Sequence, residues 1–273
     1  GSKAADTFAD DQHKDLKADY IMANPPFNLK DWRAENELTD DPRWAGYEVP
    51  PKSNANYAWI LNMIAKLSQN GVAGFILANG ALSGGGEEYK IRKQIIENDL
   101  VEAIVVLPRN MFYSTDISVT LWILNRNKTQ RTVEVKDATK RYRNRTGEVL
   151  FMDLRKWGTP YEKSYIELIS EDIEKIAKTY HDWQQQTPSL SERAGEGINI
   201  PEFCKSATIE DIRANDYALM PSKYVEFIDR DLNIDFDAEM QRIQKKFKNV
   251  IKEEKQSQEE LIKAFKSLGY EIG

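Results

Sequence analysis

The stretch that most constrains this chain is Asn24-Pro25-Pro26-Phe27, which directly follows the apolar residues 20–23. The apolar residues predict a buried strand. The two prolines should end it in a stiff, extended turn, because proline donates no backbone hydrogen bond and restricts the residue before it. The Asn24 side-chain oxygen and the Pro25 carbonyl accept hydrogen bonds, and Phe27 offers a ring for stacking. This set suits a planar group that carries an NH2, although a plain strand-ending turn would give the same pattern.

The bulk composition indicates a soluble, globular, cytoplasmic protein of one large domain or two smaller ones. Of its 273 residues, 41% are hydrophobic and 30% are charged, and no apolar run approaches the roughly 18 residues of a membrane span. The single cysteine, Cys204, excludes an internal disulfide, and His13 and His181 lack metal-ligand spacing. A net charge of -6 argues against tight DNA binding by this chain alone, because phosphate binding needs clustered Lys and Arg.

Hydrophobic spacing predicts alternating helices and strands. Residues 55–67 have helical spacing, and Asn70-Gly71 is typical of a helix C-cap. Residues 72–78, 100–108 and 119–125 are short apolar runs typical of buried strands. The last two are joined too briefly for a helical crossover and should pair antiparallel. Together these elements predict an α/β fold with a doubly wound parallel sheet and an antiparallel edge.

Two connections stand out by length or composition. Residues 28–56 are too many for an ordinary connection, so they form either a functional loop or a disordered segment. Their tryptophans favour a loop that covers a site. The glycine-rich residues 79–86 lead into a helix predicted at about 87–98, a setting that can bind phosphate. The Gly-Lys-Ser/Thr ending is absent, however, and Glu87 and Glu88 would repel an anion, so a flexible connection is favoured.

The C-terminal third predicts further regular structure. Residues 149–154 are typical of a strand, 168–185 of an amphipathic helix, and 187–199 of a connector. Residues 236–268 predict a long charged helix whose interrupted apolar seam packs either on the catalytic body or against helices of a partner. The basic cluster at 136–145 is interpreted as a solvated hairpin in preference to a DNA contact.

The Asn-Pro-Pro-Phe motif resembles the active-site motif of amino-methyltransferases that methylate the exocyclic amine of adenine in DNA. Later segments narrow the resemblance to the modification (M) subunit of type I restriction-modification systems, from residue 6 to about 224. These segments begin at Asn54, Gly71, Ile91, Leu107, Phe112 and Asp216. Where the family has Gly-Ile-Pro-Thr, this chain has Asp116-Ile117-Ser118-Val119, which puts the geometry of that loop in doubt.

The resemblance implies S-adenosylmethionine as cofactor, with Asp6 contacting its adenine ring, although a solvated tail aspartate is an equal alternative. The family's glycine-rich cofactor loop is not found in this sequence. We therefore expect a C-terminal fragment that starts about midway through the catalytic domain and is inactive alone. The expected fold is the second half of a Rossmann-like methyltransferase sheet, with parallel strands and an antiparallel edge hairpin, followed by a helical C-terminal region.

The expected organisation has three parts. Residues 1–155 would form the target-base half of the catalytic domain, 156–232 a mixed helical and loop extension, and 233–273 a long helix for subunit docking. The resemblance implies four partners: DNA, a specificity (S) subunit that reads the DNA sequence, a restriction (R) subunit, and a second M subunit. No membrane partner is expected.

The resemblance also assigns roles at the catalytic turn. The Asn24 oxygen and the Pro25 carbonyl would accept both hydrogens of the adenine NH2, Pro26 would stiffen the turn, and Phe27 would stack on a flipped base. Transfer would be a direct displacement that needs neither a covalent nucleophile nor a strong base. Tyr57, Phe112 and Tyr113 are candidates for the base pocket, whereas Trp59 is favoured as helix core.

Two other functions fit parts of the sequence. A protein-glutamine N-methyltransferase also carries Asn-Pro-Pro before an aromatic residue, usually Tyr, and Phe27 and the later segments weigh against it. The third reading is a non-catalytic module that docks on an S subunit. Methyl transfer to DNA or to peptide, and co-purification with an S subunit, separate the three.

Overall fold

The computed structural model describes residues 3–112, 117–135, 138–162, 165–185, 198–229 and 236–267. Tyr113 and the motif residues 114–116, most of the predicted connector 187–199, and Lys136 of the basic cluster lie outside the described residues. The chain divides into two compact units, Gly1–Phe227 and Ile228–Gly273.

The first unit is built on a seven-stranded mixed sheet, counted over the described residues. Its strands are β1 (Ala18–Ala23), β2 (Leu67–Ala78), β3 (Val101–Val106), β4 (Val119–Asn125), β7 (Glu148–Asp153), β10 (Asn199–Ile200) and β11 (Cys204–Thr208). Two small hairpins are separate from it: β5 (Arg131–Val135) with β6 (Ala138–Tyr142), and β8 (Thr159–Tyr161) with β9 (Tyr165–Glu167). The helices are α1 (Asn56–Lys66), α2 (Gly86–Glu97), α3 (Ser170–Gln185) and α4 (Ile209–Ala214), with 3-10 turns at Pro42–Trp44, Asn79–Leu82 and Pro221–Lys223.

The strand order is β1-β2-β4-β3-β7-β11-β10. Strand β1 is parallel to β2, both β2 and β3 are antiparallel to β4, and β3 is parallel to β7. Strands β1, β2, β3 and β7 therefore all end at one edge, which we name the carboxyl edge of the sheet. The segments that follow them begin at Asn24, Asn79, Leu107 and Leu154 and meet at this edge.

The predicted fold class is confirmed, and the position of its hairpin differs in one respect. Strands β3 and β4 pair antiparallel, as their short connection predicted. The pair lies inside the sheet, however, because β7, β11 and β10 extend the sheet beyond β3. Strands β10 and β11, from the segment expected as a mixed extension, thus belong to the same sheet as β1 to β4.

The prediction that β1 is a buried strand is wrong. Tyr20 and Met22 are 83% and 92% exposed, whereas the alternating Ile21 and Ala23 pack against the core. Among the described strands, β1 is the first in the sheet order and pairs only with β2. Side chains alternate between the two faces of a strand, and only one face of β1 is covered, so Tyr20 and Met22 cannot be buried together with Ile21 and Ala23.

The predicted helix C-cap at Asn70-Gly71 is also wrong. Helix α1 ends at Lys66, and Leu67 already has an extended ψ of 139°, so β2 begins without a loop. Asn70 and Gly71 lie inside β2. A Cβ at Gly71 would lie 2.8 Å from the Ala18 carbonyl oxygen, so this glycine allows the close approach of β1.

Two apolar clusters cover the sheet. On one face, α1 and α2 contribute residues such as Ile60, Leu61 and Ile91 to a large cluster that includes Phe75 and Trp122 of the sheet. On the other face, Trp183 of α3 joins a smaller cluster formed mainly by β3 and β7, together with Phe203 and Cys204. The second cluster covers only the half of the sheet away from β1.

The basic cluster at 136–145 includes the predicted hairpin, formed by β5 and β6. The expectation that it is solvated is wrong at its last residue, because Arg145 is fully buried against the equally buried Glu102 at 2.9 Å. The side chains of Gln184 and Asn125 also donate to the Glu102 carboxylate. A buried charge requires such partners, and here they join the hairpin segment to β3, β4 and α3.

The second unit contains the predicted long helix, α5 (Phe236–Ser267). None of its described residues is buried, and its apolar residues are exposed along its length. Across the described part of both units, no helix is long and apolar enough to span a membrane.

Candidate active site

The Asn24-Pro25-Pro26-Phe27 turn follows β1 at the carboxyl edge of the sheet. Asn24 and Pro26 are exposed, Pro25 is half-buried, and the half-buried Phe27 ring packs against the large cluster. Because Pro25 and Pro26 have no N–H, they add carbonyl acceptors to the turn and no backbone donors. It contains no titratable side chain, so it can accept hydrogen bonds and stack, but it cannot act as a strong base.

Three asparagines fix the end of this turn to the start of α1. Asn28 has a left-handed φ of 52°, which asparagine adopts more readily than most residues. Its N–H donates to Asn56 Oδ1 at 2.9 Å, and its Oδ1 accepts from Asn56 Nδ2 at 2.9 Å and from Asn54 Nδ2 at 3.3 Å. Because Asn56 is buried at the start of the helix, the Asn24-Pro25-Pro26-Phe27 turn is held by the core and not only by its prolines.

The segment 6–10 forms a second turn, held by its own backbone. Asp6 Oδ1 accepts from the N–H of Phe8 at 2.7 Å and of Ala9 at 2.9 Å, and Asp10 N–H donates to the Asp6 carbonyl. The Asp6 side chain is exposed. A carboxylate with four lone-pair sites can still accept from an amino group, so this turn can hold an adenine edge.

The tryptophan-rich loop between Asn28 and Asn56 is ordered and packs over the second turn. Phe8 is buried with its ring 4.6 Å from Trp32 and 4.2 Å from Trp59. The indole of Trp32 donates to the Pro51 carbonyl, and that of Trp44 donates to the Leu38 carbonyl. The loop therefore packs on Phe8 of the Asp6 segment, which precedes β1 in the chain.

Tyr57 does not lie in an open pocket, contrary to the prediction. It is fully buried in the large cluster, and its hydroxyl donates to the Ala81 carbonyl at 2.6 Å. Burial raises the pKa of this hydroxyl well above its ordinary value. As a helix residue facing the sheet, Tyr57 supports the 3-10 turn after β2 instead of contacting solvent.

The remaining pocket candidates lie after β3. Phe112 is half-buried in the segment that follows β3 at the carboxyl edge, the same edge as the catalytic turn. Tyr113 lies outside the described residues. Trp59, favoured as helix core, is half-buried and packs on Phe8.

The glycine-rich segment 79–86 is held in place by the C-terminal part of the first unit. Arg92, buried in α2, donates to the Gly84 carbonyl at 2.8 Å and to the Tyr217 carbonyl at 2.8 Å. Leu219 N–H donates to the Leu82 carbonyl. Asp216 and Tyr217 have left-handed φ values of 54° and 53°, which turn the chain towards α2. The expectation of a flexible connection is therefore wrong.

The single cysteine, Cys204, lies in the smaller apolar cluster. Burial raises the pKa of the Cys204 thiol to about 12, which leaves it protonated and inert at neutral pH. Over the part of the chain that the structure describes, no group of His, Cys, Asp or Glu has the geometry to hold a metal ion.

Sequence reasoning missed two buried arginines, Arg43 and Arg92, which organise the segments around the site. Arg43 contacts residues 35 and 36 positions away, and Arg92 contacts one 125 positions away. No local pattern marks an arginine as buried. Arg92 lay in a segment that carried the family resemblance, which was its only signal.

Comparison with known proteins places the chain in one family. Residues 1–232 match the family model described as N-6 DNA Methylase. The chain is 41% identical to the type I restriction enzyme HindI methylase subunit of Haemophilus influenzae, over 99% of this chain and 56% of that protein. It is 36% identical to the MjaIX methylase subunit of Methanocaldococcus jannaschii, over 97% of this chain and 45% of that protein.

A solved structure agrees with these relatives. The type I restriction-modification methyltransferase subunit from Streptococcus thermophilus superposes with a TM-score of 0.65 at 30% identity, over 82% of this chain and 42% of that one. The chain thus spans about half the length of the relatives that it matches. On the family model and the two curated relatives, the chain belongs to the N-6 DNA methylase family.

Proposed function

We propose that this chain is the target-base half of a type I restriction-modification M subunit, which methylates adenine N6 in DNA. One observation carries the proposal: the turn at the carboxyl edge exposes the Asn24 amide beside a proline carbonyl and a half-buried Phe27 ring. These are two acceptors and a stacking face, with no donor from either proline. An exocyclic NH2 on a planar ring matches all three.

The two oxygens act on the geometry of the amine. In free adenine the nitrogen lone pair is delocalised into the ring, which makes the amine a poor nucleophile. Accepting one N–H at Asn24 Oδ1 and the other at the Pro25 carbonyl favours a tetrahedral nitrogen whose lone pair points away from the ring. The nitrogen could then displace the sulfur of a bound sulfonium: an N–C bond would form as the S–C bond to the methyl group breaks, a neutral thioether would leave, and the amine would afterwards lose a proton to solvent.

The target base must leave the DNA helix before it can reach this turn. Adenine inside a duplex is stacked on both sides, so a flipped base needs new surfaces on which to stack. Phe27 supplies one such surface, and its packing against the core fixes the plane of the ring. We propose that Phe112, in the segment that follows β3 at the carboxyl edge, lies near the base, and Tyr113 remains a candidate from the sequence alone.

The cofactor we propose is S-adenosylmethionine, which supplies an electrophilic methyl group on a sulfonium. In this chain, Asp6 would hold its adenine ring by accepting from the amino group. The exposed carboxylate in the ordered turn 6–10 fits that role. The sequence shows no other cofactor loop, in keeping with a chain that spans about half of its relatives.

The partners we propose follow from the charge and from helix α5. A net charge of -6 suits an enzyme whose DNA binding is supplied largely by other subunits. The apolar residues of α5, which include Phe236, Phe247 and Leu261, are exposed at 72%, 64% and 56%. We propose that this helix engages an S subunit that reads the DNA sequence, within an assembly that also holds a second M subunit and an R subunit.

The experiment compares Asn24 variants of the full-length protein in complex with its S subunit. Transfer of labelled methyl to DNA containing the recognised site should fall roughly 100- to 1,000-fold in Asn24→Ala, as when a preorganised polar group is removed from an active site. Asn24→Asp, which keeps an acceptor oxygen, should retain more activity than Asn24→Ala. Activity of Asn24→Ala equal to wild type, or methyl transfer to peptide glutamine instead of DNA, would refute the proposal.

A further inference from the structure

Arg43 is a buried arginine that binds the segment carrying Asp6. It is 8% exposed and lies in the loop that follows the catalytic turn. Its guanidinium makes five hydrogen bonds to four partners: Asp41 through Nε and Nη2, Thr7 and Asn62 through Nη1, and Phe8 through Nη2. Since a guanidinium has five N–H groups, its donor capacity is used in full.

Two of these bonds fix the segment that carries Asp6. Arg43 donates to the Thr7 carbonyl at 2.7 Å and to the Phe8 carbonyl at 2.6 Å. The Asp6 carboxylate binds the N–H groups of Phe8 and Ala9 in the same turn. Arg43 therefore binds two carbonyl groups of this short segment, and Asp6 binds two of the segment's N–H groups.

Asp41 fixes the guanidinium itself. Its two carboxylate oxygens face Arg43 Nε at 2.8 Å and Nη2 at 2.7 Å, and its Oδ1 also caps the 3-10 turn by accepting from Arg43 N–H. Burial alone would raise the pKa of Asp41, but the hydrogen bonds from Arg43 hold that pKa below its ordinary value. The carboxylate is thus charged at neutral pH and orients the planar fork.

We propose that Arg43 is a positioning residue for cofactor recognition, which holds the 6–8 backbone so that Asp6 faces the adenine ring. The inference rests on the proposed role of Asp6. Because Arg43 belongs to the loop after the catalytic turn, it also joins the cofactor turn to the chain that leaves the target-base turn. Lysine cannot replace it, because an ammonium lacks the planar fork that reaches a carboxylate and two carbonyls together.

The test measures KM for S-adenosylmethionine, KM for DNA and kcat in the full-length protein with its S subunit. In Arg43→Lys, KM for S-adenosylmethionine should rise roughly 10- to 100-fold, from the loss of two charge-assisted hydrogen bonds. KM for DNA and kcat at saturating cofactor should change less than about threefold, because the target-base turn has its own asparagine anchors. Arg43→Met should raise KM for the cofactor further.

Arg33 provides a matched control in the same loop. Its guanidinium donates to the carbonyls of Ala34, Glu35, Glu37 and Pro50, all within the loop. Arg33→Lys should leave KM for S-adenosylmethionine within about twofold of wild type. An equal rise in both variants would assign the effect to general order of the loop and overturn the inference.

Asp6→Asn separates this inference from the proposed function. If Asp6→Asn raises KM for the cofactor and Arg43→Lys does not, the positioning role of Arg43 is wrong and the role of Asp6 stands. If neither variant changes it, the cofactor assignment of this segment is wrong as well. Should Arg43→Met fail to fold, by loss of a cooperative thermal transition, Arg43→Lys, which keeps the charge, still decides between these outcomes.

Discussion

Strands β1 and β3 have similar apolar sequences and opposite surroundings. All six residues of β3 are buried, between β4 and β7 and under clusters on both faces. In β1, Tyr20 and Met22 are almost fully exposed. An apolar run therefore indicates a strand, but its burial depends on how many neighbours the strand has and on which faces are covered.

The largest effect should come from the buried charge on β3. Glu102→Ala leaves Arg145 buried without its carboxylate, which should lower the free energy of unfolding by about 3–5 kcal/mol. Urea unfolding of this chain measures the change. Glu102→Gln keeps the shape of the side chain and one acceptor oxygen, so it should lower the free energy of unfolding by less than Glu102→Ala. Equal free energies of unfolding for Glu102→Ala and wild type would show that the buried pair does not stabilise the half of the sheet that contains β3 and β7.

A core truncation on the same strand should be nearly as large. Ile104 is fully buried in the large cluster, so Ile104→Ala should cost about 2–5 kcal/mol from lost burial and the remaining cavity. The same urea titration applies. Ile104→Val, which removes one methylene, should cost about 0.5–1.5 kcal/mol. A cost below that of Ile104→Val would mean that the core refills the space.

The carboxylate of Glu148, at the start of β7, should make the free energy of unfolding depend on pH. Burial alone would raise the pKa of Glu148, but hydrogen bonds from Arg143 and Ser206 lower it below its usual 4.5. Its contribution is therefore complete above about pH 4.5 and is lost as the pH falls through the lowered pKa. Glu148→Gln should flatten that part of the stability curve.

The smallest effect is expected on β1. Met22→Lys places a charge at a position that is already 92% exposed, and should change the free energy of unfolding by less than about 0.5 kcal/mol. A cost like that of Ile104→Ala would show that the open face of β1 is covered in solution, and would remove the contrast between the two strands.

The local parts of the fold could be predicted from sequence, and the long-range parts could not. The order of the helices and strands and the turn at Asn24 follow from apolar runs, prolines and connection length. The C-cap at Asn70-Gly71 was wrong because the need for Gly71 comes from the backbone of β1, some fifty residues earlier.

The site divides in the same way. The motif from Asn24 to Phe27 could be recognised because it is a short local sequence, and its chemical role stays a prediction. The long-range contacts that support the turn could not be predicted. The ring of Tyr57 was predicted in a pocket and lies in the core, since helical spacing does not say which face meets the sheet. Arg43 was missed because its partners Thr7 and Phe8 are distant in sequence.

The anchoring of segment 79–86 by the Asp216–Leu219 region has a consequence for synthesis of the protein on the ribosome. The bonds from Arg92 and Tyr89 to this region join residues 125 and 127 positions apart. At roughly 5–20 residues per second, about 6–25 s pass between translation of the two partners. During that interval the nascent chain can complete the catalytic turn and its asparagine anchors, but not the loop beside them. Assembly of the carboxyl edge therefore finishes late, after most of the first unit has been made.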